Sequence, residues 1–228
     1  MTLNKIDADQ EAARLSRPFE VAQLAYVGDF AVSVFLCQGS IGWHRHIDED
    51  ELFLVRNGSI TLETEWGNAR LGAHEMAVVP KGVLHRSSSF LRSVVLLFRP
   101  QIMSQRKNGD RRIDGAAEKS ALHQVSVLQA ARGSQEVDQP IEMARLDGFV
   151  LRLIAPRRGW SRQGSSEHDE LVLVVEGRLV LGAENVDLAL SAGDMVVIPR
   201  RYGCRLAAME GTVALLFSQR INSRVERY

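Results

Sequence analysis

The chain has 228 residues, 45% apolar and 25% charged, with 28 basic residues balanced by 28 acidic ones. That mixture supports a folded core and argues against disorder. A net charge of zero leaves no long-range field to gather phosphate backbones or an anionic membrane, so neither is expected as a partner.

Two cysteines, Cys37 and Cys204, are too few for a disulfide framework or an all-thiolate zinc site. No apolar run approaches the roughly 18 residues of a membrane span, and Met1 to Glu20 is too polar and acidic for a signal peptide. A soluble, cytoplasmic protein is expected.

In chain order, Asp9–Leu15 reads as a short helix. β-Branched and aromatic runs then predict strands at Val32–Leu36, Leu52–Val55, Met76–Val79 and Val94–Phe98. Turn-forming clusters separate them: Gln38-Gly39-Ser40, Asn57-Gly58-Ser59 and Pro80-Lys81-Gly82. Ser104–Ser120 is charged and poor in large apolar residues, and reads as an exposed linker. Its basic residues Arg106, Lys107, Arg111 and Arg112 suit solvation better than phosphate binding. Strands recur at Val172–Val175, Arg178–Leu181, Met195–Ile198 and Val213–Phe217. Many short strands without βαβ alternation predict an all-β sandwich or barrel.

The recurrence is an internal repeat. Gly42-Trp43, Asp50 to Val55 and Gly58 match Gly159-Trp160, Asp169 to Val174 and Gly177. Glu51 and Glu170, Gly58 and Gly177, Pro80 and Pro199, and Phe98 and Phe217 are each 119 positions apart. Gly42 and Gly159 are 117 apart, so the second copy carries two extra residues before its glutamate. A period this long makes each copy a domain rather than a stacking module. The expected division is an N-terminal domain over 1–103, a charged linker over 104–122 and a C-terminal domain over 123–228.

Three of the six histidines fall in a pattern with a chemical use. His44 and His46, two apart on a strand, project from one face. Glu51 follows after a turn, and His85 stands just past Pro80-Lys81-Gly82. Three imidazoles and a carboxylate converging inside a barrel suit a divalent transition metal.

His44-x-His46-x4-Glu51-x6-Gly58, followed by Pro80-x-Gly82-x2-His85, resembles the two motifs of the cupin superfamily. The resemblance covers about residues 18–100 and 140–220. It implies two tandem cupin jelly-roll barrels, with His44, His46, Glu51 and His85 as metal ligands. One divalent ion (Fe, Mn, Zn, Ni or Co) is expected, in the N-terminal barrel. The first copy departs from the pattern at His74, which stands where a glycine opens the second motif, and at Ser89, where an asparagine often follows. A side chain at a left-handed position costs about 1 kcal/mol, which nearby Gly72 is expected to absorb; His74 is also weighed as a fifth ligand.

The second copy keeps only the carboxylate. Gln163 and Ser165 fall at the first two histidines, Arg201 at the glycine and Cys204 at the third histidine. Its barrel is expected to be metal-free, with a site of His168, Glu170 and Cys204 the less favoured alternative.

Phe53 and Val55 share the parity of Glu51 and are expected to wall the site. Leu52 and Leu54, with Leu171 and Leu173, then face outward and need covering, by contact between the copies or between subunits of a homodimer. Trp43 and Trp160 are expected to share a packing role. Arg45, of opposite parity to the ligands, is expected at the surface. The functional expectation is a metal-dependent enzyme of dioxygenase, isomerase or lyase type acting on a small organic molecule. A non-catalytic small-molecule binder or sensor is the alternative.

Overall fold

The expected all-β class is observed in the computed structural model, which describes residues 3–101, 122–134, 139–183 and 186–220. The linker expected over Ser104–Ser120 lies outside those residues.

The chain opens with β1 (Lys5–Asp7) and α1 (Ala8–Arg14), the expected helix. Asp7 caps it, accepting from the Asp9 and Gln10 N–H groups at 3.0 and 2.9 Å. The first copy follows as β2 (Val21–Val27), β3 (Phe30–Ser40), β4 (Glu51–Asn57), β5 (Ser59–Thr64), β6 (Gly67–Gly72), β7 (Glu75–Val79) and β8 (His85–Pro100). Next come β9 (Gln124–Ser126) and α2 (Val127–Gly133), capped by Ser126. The second copy comprises β10 (Ile141–Leu146), β11 (Phe149–Ile154), β12 (Trp160–Gly164), β13 (Glu170–Glu176), β14 (Arg178–Ala183), β15 (Val186–Ser191), β16 (Asp194–Ile198), β17 (Cys204–Ala208) and β18 (Val213–Gln219).

Strand order repeats with the sequence. One sheet runs β2-β3-β8-β4-β7-β9, and its counterpart runs β10-β11-β18-β13-β16-β1. Long β8 bends out of the first to pair also with β5, which pairs β6. In the second copy that facing layer is a separate sheet, β12-β17-β14-β15.

The outermost strand of each large sheet comes from elsewhere in the chain. β1 pairs with β16, Ile6 opposite Met195, while β9 pairs with β7, Val125 opposite Met76. The helix after each strand is pinned at matching positions. Ala8 N–H donates to Gly193 O at 3.1 Å, and Val127 N–H donates to His74 O at 2.9 Å.

Apolar alternation divides the core into three parts. Phe35, Phe53, Val55, Val95 and Leu97 belong to an inner cluster of the first copy, and Val172, Val174, Val196 and Leu216 to one of the second. The opposite faces meet in a cluster that draws on both copies and includes Leu52, Leu54, Leu171 and Leu173. Contact between the copies is therefore what covers the four outward leucines. The two tryptophans do not share a role: Trp160 packs on the second inner cluster, whereas Trp43 is 39% exposed and lies under the Arg86 guanidinium, 4.9 Å from it.

Two motif positions show what the repeat demands of the backbone. Gly58 is left-handed, at φ 83°, and a β-carbon there would come within 2.4 Å of Ser93 Oγ. His74 is also left-handed, at φ 64°, where the second copy places Gly193 at φ 93°. The strain expected at His74 thus stays on it, because Gly72 does not take a left-handed conformation. His74→Gly is expected to stabilise the fold by about 0.5–1 kcal/mol in urea titration, relief of the left-handed side chain outweighing the extra freedom of the unfolded glycine. Unchanged or lower stability would show that the imidazole makes compensating contacts.

Candidate metal centre

Glu51 opens β4 and points to the face that carries Phe53 and Val55. His85 opens β8. His44 lies on the loop between β3 and β4 and is joined to His85 by a two-way bridge, each N–H donating to the other's carbonyl at 3.0 and 2.9 Å. His44 and His46 were expected on a regular strand; the structure has only isolated bridge positions at His44 and Arg45, whereas the second copy forms β12 at the matching place. The turn before His85 is tied to the same loop, for Gly82, left-handed at φ 80°, donates its N–H to His46 O at 2.5 Å.

The second copy braces these loops. Asp147, at the β10–β11 turn, accepts from Asp50 N–H at 2.6 Å and faces Lys81 Nζ at 3.1 Å. Asp50 in turn accepts from Lys81 N–H at 3.0 Å and from Asp147 N–H at 3.2 Å. The residues flanking Glu51 and His85 are therefore held from both copies.

All four expected side chains, His44, His46, Glu51 and His85, are buried, with one donor atom from each lying within 4.8 Å of the others. Glu51 Oε1 is 3.3 Å from His46 Nε2, and Oε2 is 3.1 Å from His85 Nε2. Burial alone would raise the Glu51 pKa, but the His46 and His85 imidazoles outweigh it and hold the carboxyl below its usual range.

The hydrogen bonding fits a cation. His44 Nδ1 faces Gly42 O at 2.9 Å and His85 Nδ1 faces Val83 O at 3.0 Å. A neutral ring donating there turns a bare Nε2 inward, the tautomer that binds a metal. In that tautomer His85 Nε2 would face the Glu51 carboxylate lone pair to lone pair unless a cation or a second proton lies between them, because one N–H cannot satisfy both acceptors. Neither nitrogen of buried His46 has a hydrogen-bond partner among the described residues. A cation shared by Nε2 atoms and the carboxylate satisfies these groups together.

Of two buried polar residues near the cluster, one has no place in the sequence pattern and the other departs from its expected place. Glu49 has an oxygen 3.7 Å from His46 Nδ1, on the side away from Glu51; the signal was an acid three residues past a candidate ligand. Arg45 is only 4% exposed, with Nη1 3.4 Å from Gly82 O, so the surface expectation fails. Parity holds along a regular strand, and the loop here is not one. His74 lies apart from the cluster, lining a cavity with Asp9, Arg56 and Arg92.

In the second copy, Arg162 closes on Glu170 with two hydrogen bonds, Nη1 to Oε1 at 3.1 Å and Nη2 to Oε2. A guanidinium occupies the carboxylate that a cation would need. Burial raises the Cys204 pKa, with Arg162 opposing and Glu170 adding to it, so the thiol is a poor ligand at neutral pH. Burial likewise pushes the Cys37 thiol up to about 11, against a hydrogen bond from Ser87. Among the described residues, the first-copy group is the one His/Cys/Asp/Glu cluster suited to a metal. Glu170→Ala and Cys204→Ala are each expected to leave bound metal unchanged by elemental analysis; a fall in either would place a metal in the second barrel.

No family model matches the chain. Over 74 residues it is 35% identical to the uncharacterized protein YdbB of Bacillus subtilis (strain 168), a match covering 32% of this chain and 66% of that protein, just under two thirds. Solved structures match far more of it. A cupin 2 conserved barrel domain protein from Leptotrichia buccalis superposes with a TM-score of 0.72 at 11% identity, over 96% of this chain and 98% of that one. The chain has the cupin fold.

Salicylate 1,2-dioxygenase from Pseudoaminobacter salicylatoxidans, crystallised as adducts with gentisate, matches this chain with a TM-score of 0.71 at 11% identity, over 96% and 81% of the two chains. Ylba from E. coli matches with a TM-score of 0.64 at 12% identity, over 96% and 90%. At these identities the likeness concerns the fold, and this chain's own chemistry must be argued from its side chains. No helix among the described residues is long and apolar enough to cross a membrane.

Proposed function

We propose that this cupin is a metal-dependent enzyme acting on a small organic molecule in an N-terminal barrel over 1–103, joined through 104–122 to a metal-free barrel over 123–228. The observation that carries the reading is a convergence: three buried imidazoles and a carboxylate meet where His44 and Glu51 line a cavity of about 390 Å³. A closed structural site would need no such space beside it.

His44, His46, Glu51 and His85 would hold the ion. A divalent ion there supplies Lewis-acid polarisation of an oxygen or, as Fe(II), redox chemistry with dioxygen. Phe35, Phe53 and Leu97 give the cavity apolar walls that exclude water and strengthen every electrostatic contact within it. The carbonyls of Gly42 and Val83 fix two of the rings, so that the donor atoms are set before an ion arrives. The mixed imidazole and carboxylate set suits Fe, Mn, Zn, Ni and Co alike, so the native ion is a matter for measurement.

Protein loaded anaerobically with each of these ions, then screened for oxygen uptake and conversion of small organic acids, phenols and dicarbonyl compounds, should show turnover that His85→Ala abolishes. Oxygen uptake selects the dioxygenase class, and conversion without it the isomerase or lyase class. Binding of compounds without turnover under any ion would overturn the enzyme reading in favour of a sensor or binding protein.

A further inference from the structure

One cation on the cavity wall has no polar partner among the described residues. Arg99 lies on β8 two residues beyond Leu97, on the face that carries Val95 and Leu97 inward, and it lines the same cavity as His44 and Glu51. Across the strand pair it stands opposite Ala31. The β4 register sets Leu52 opposite Phe98 and Phe53 opposite Leu97, so one step further brings Glu51 level with Arg99. Yet Arg99, half-buried, makes no hydrogen bond or ion pair with any described residue.

Three other arginines of the two copies are engaged. Arg162 is spent on Glu170, Arg152 donates to Ser218 Oγ at 3.2 Å, and Arg86 forks onto Glu63 at 2.7 and 2.9 Å. Ser218 is the residue 119 positions after Arg99, so the unpaired guanidinium belongs to the copy that has the histidine cluster. Apart from Ser87, the remaining walls, including Phe19, Phe35, Phe53 and Leu97, are apolar. The volume, about 390 Å³, sits at the small end of ligand cavities, which run from roughly 300 to 1,000 Å³.

We infer that Arg99 is the anion contact of this cavity and that the site takes a small organic carboxylate with an apolar, ring-sized body. The inference rests on the reading above that the cavity is where a ligand meets the metal cluster. A guanidinium facing an apolar cavity gains most from a planar carboxylate, which it binds through paired N–H donors. Neutral ligands of the same shape would leave it unpaired, and that penalty is the source of discrimination. Arg99 therefore sets specificity and orientation, while the histidine cluster remains the reacting end.

The test is calorimetric titration of the full-length, metal-loaded protein with benzoate and cyclohexanecarboxylate, each against its amide. Both carboxylates should bind at least about tenfold more tightly than their amides. Arg99→Gln should weaken the carboxylates by about tenfold or more and leave the amides within about twofold, with Arg99→Lys recovering part of the loss. Metal content, measured on the same samples, should not change in either variant. Equal binding of acid and amide, no binding of either acid, or carboxylate binding unaltered in Arg99→Gln would overturn the inference. Failure of the wild-type protein to take up metal would instead overturn the enzyme reading, and elemental analysis reports it separately.

Discussion

His85→Ala is expected to lower divalent-metal affinity by at least about a hundredfold, leaving protein purified or loaded at micromolar metal essentially empty. Changes to groups that merely orient metal-binding histidines cost about ten- to a hundredfold, and loss of a donor costs more. His85 is central to the cluster: its Nε2 is 3.1 Å from Glu51, its ring centroid is 4.4 Å from that of His44, and its backbone bridges that residue. Alanine keeps the backbone bridge, so the effect falls on the donor atom. His44→Ala should behave alike. Metal retained at wild-type affinity in a folded His85→Ala protein, as judged by circular dichroism, would remove His85 from the site.

The largest effect on stability is expected from Phe217→Ala. Phe217 is fully buried in the cluster shared by the two copies, with ring centroids at 5.4 Å from Phe30, 5.2 Å from Phe98 and 5.2 Å from Phe149. Two of those rings come from the first copy and one from the second. Truncating a buried phenylalanine costs about 3–5 kcal/mol in transfer and cavity terms, a large part of the 5–15 kcal/mol typical of a folded protein. Urea titration should show that loss. A change below about 1 kcal/mol would mean that the copies do not depend on this shared core.

Much of the candidate site was legible because its information is local. His85 sits just past the Pro80-Lys81-Gly82 turn and Glu51 opens β4, while His44 and His46 fall on a loop rather than on the expected strand. The outward leucines were legible by the same alternation, since a residue of known parity on β4 or β13 has only two faces to choose between.

What escaped depends on distant pairing. β1 is three residues, Lys5-Ile6-Asp7, too short to carry a pattern, and only the edge of β16 gives it a place. Val127–Gly133 spans barely two helical turns, below the length at which periodicity speaks. Arg162 was passed over because its meaning lies in reaching Glu170 from β12. Arg99 was passed over because one arginine at a strand end, read alone, is most often solvated. Arg45 was misplaced by a strand rule applied to a loop.

The central claim is that this protein has one metal site and that it lies in the first copy. Elemental analysis of the full-length protein after saturation with Fe(II), Mn(II), Zn(II), Ni(II) or Co(II) and removal of free ion tests it most directly. The account predicts close to one ion per chain; two ions per chain, or none with any of the five, would contradict it.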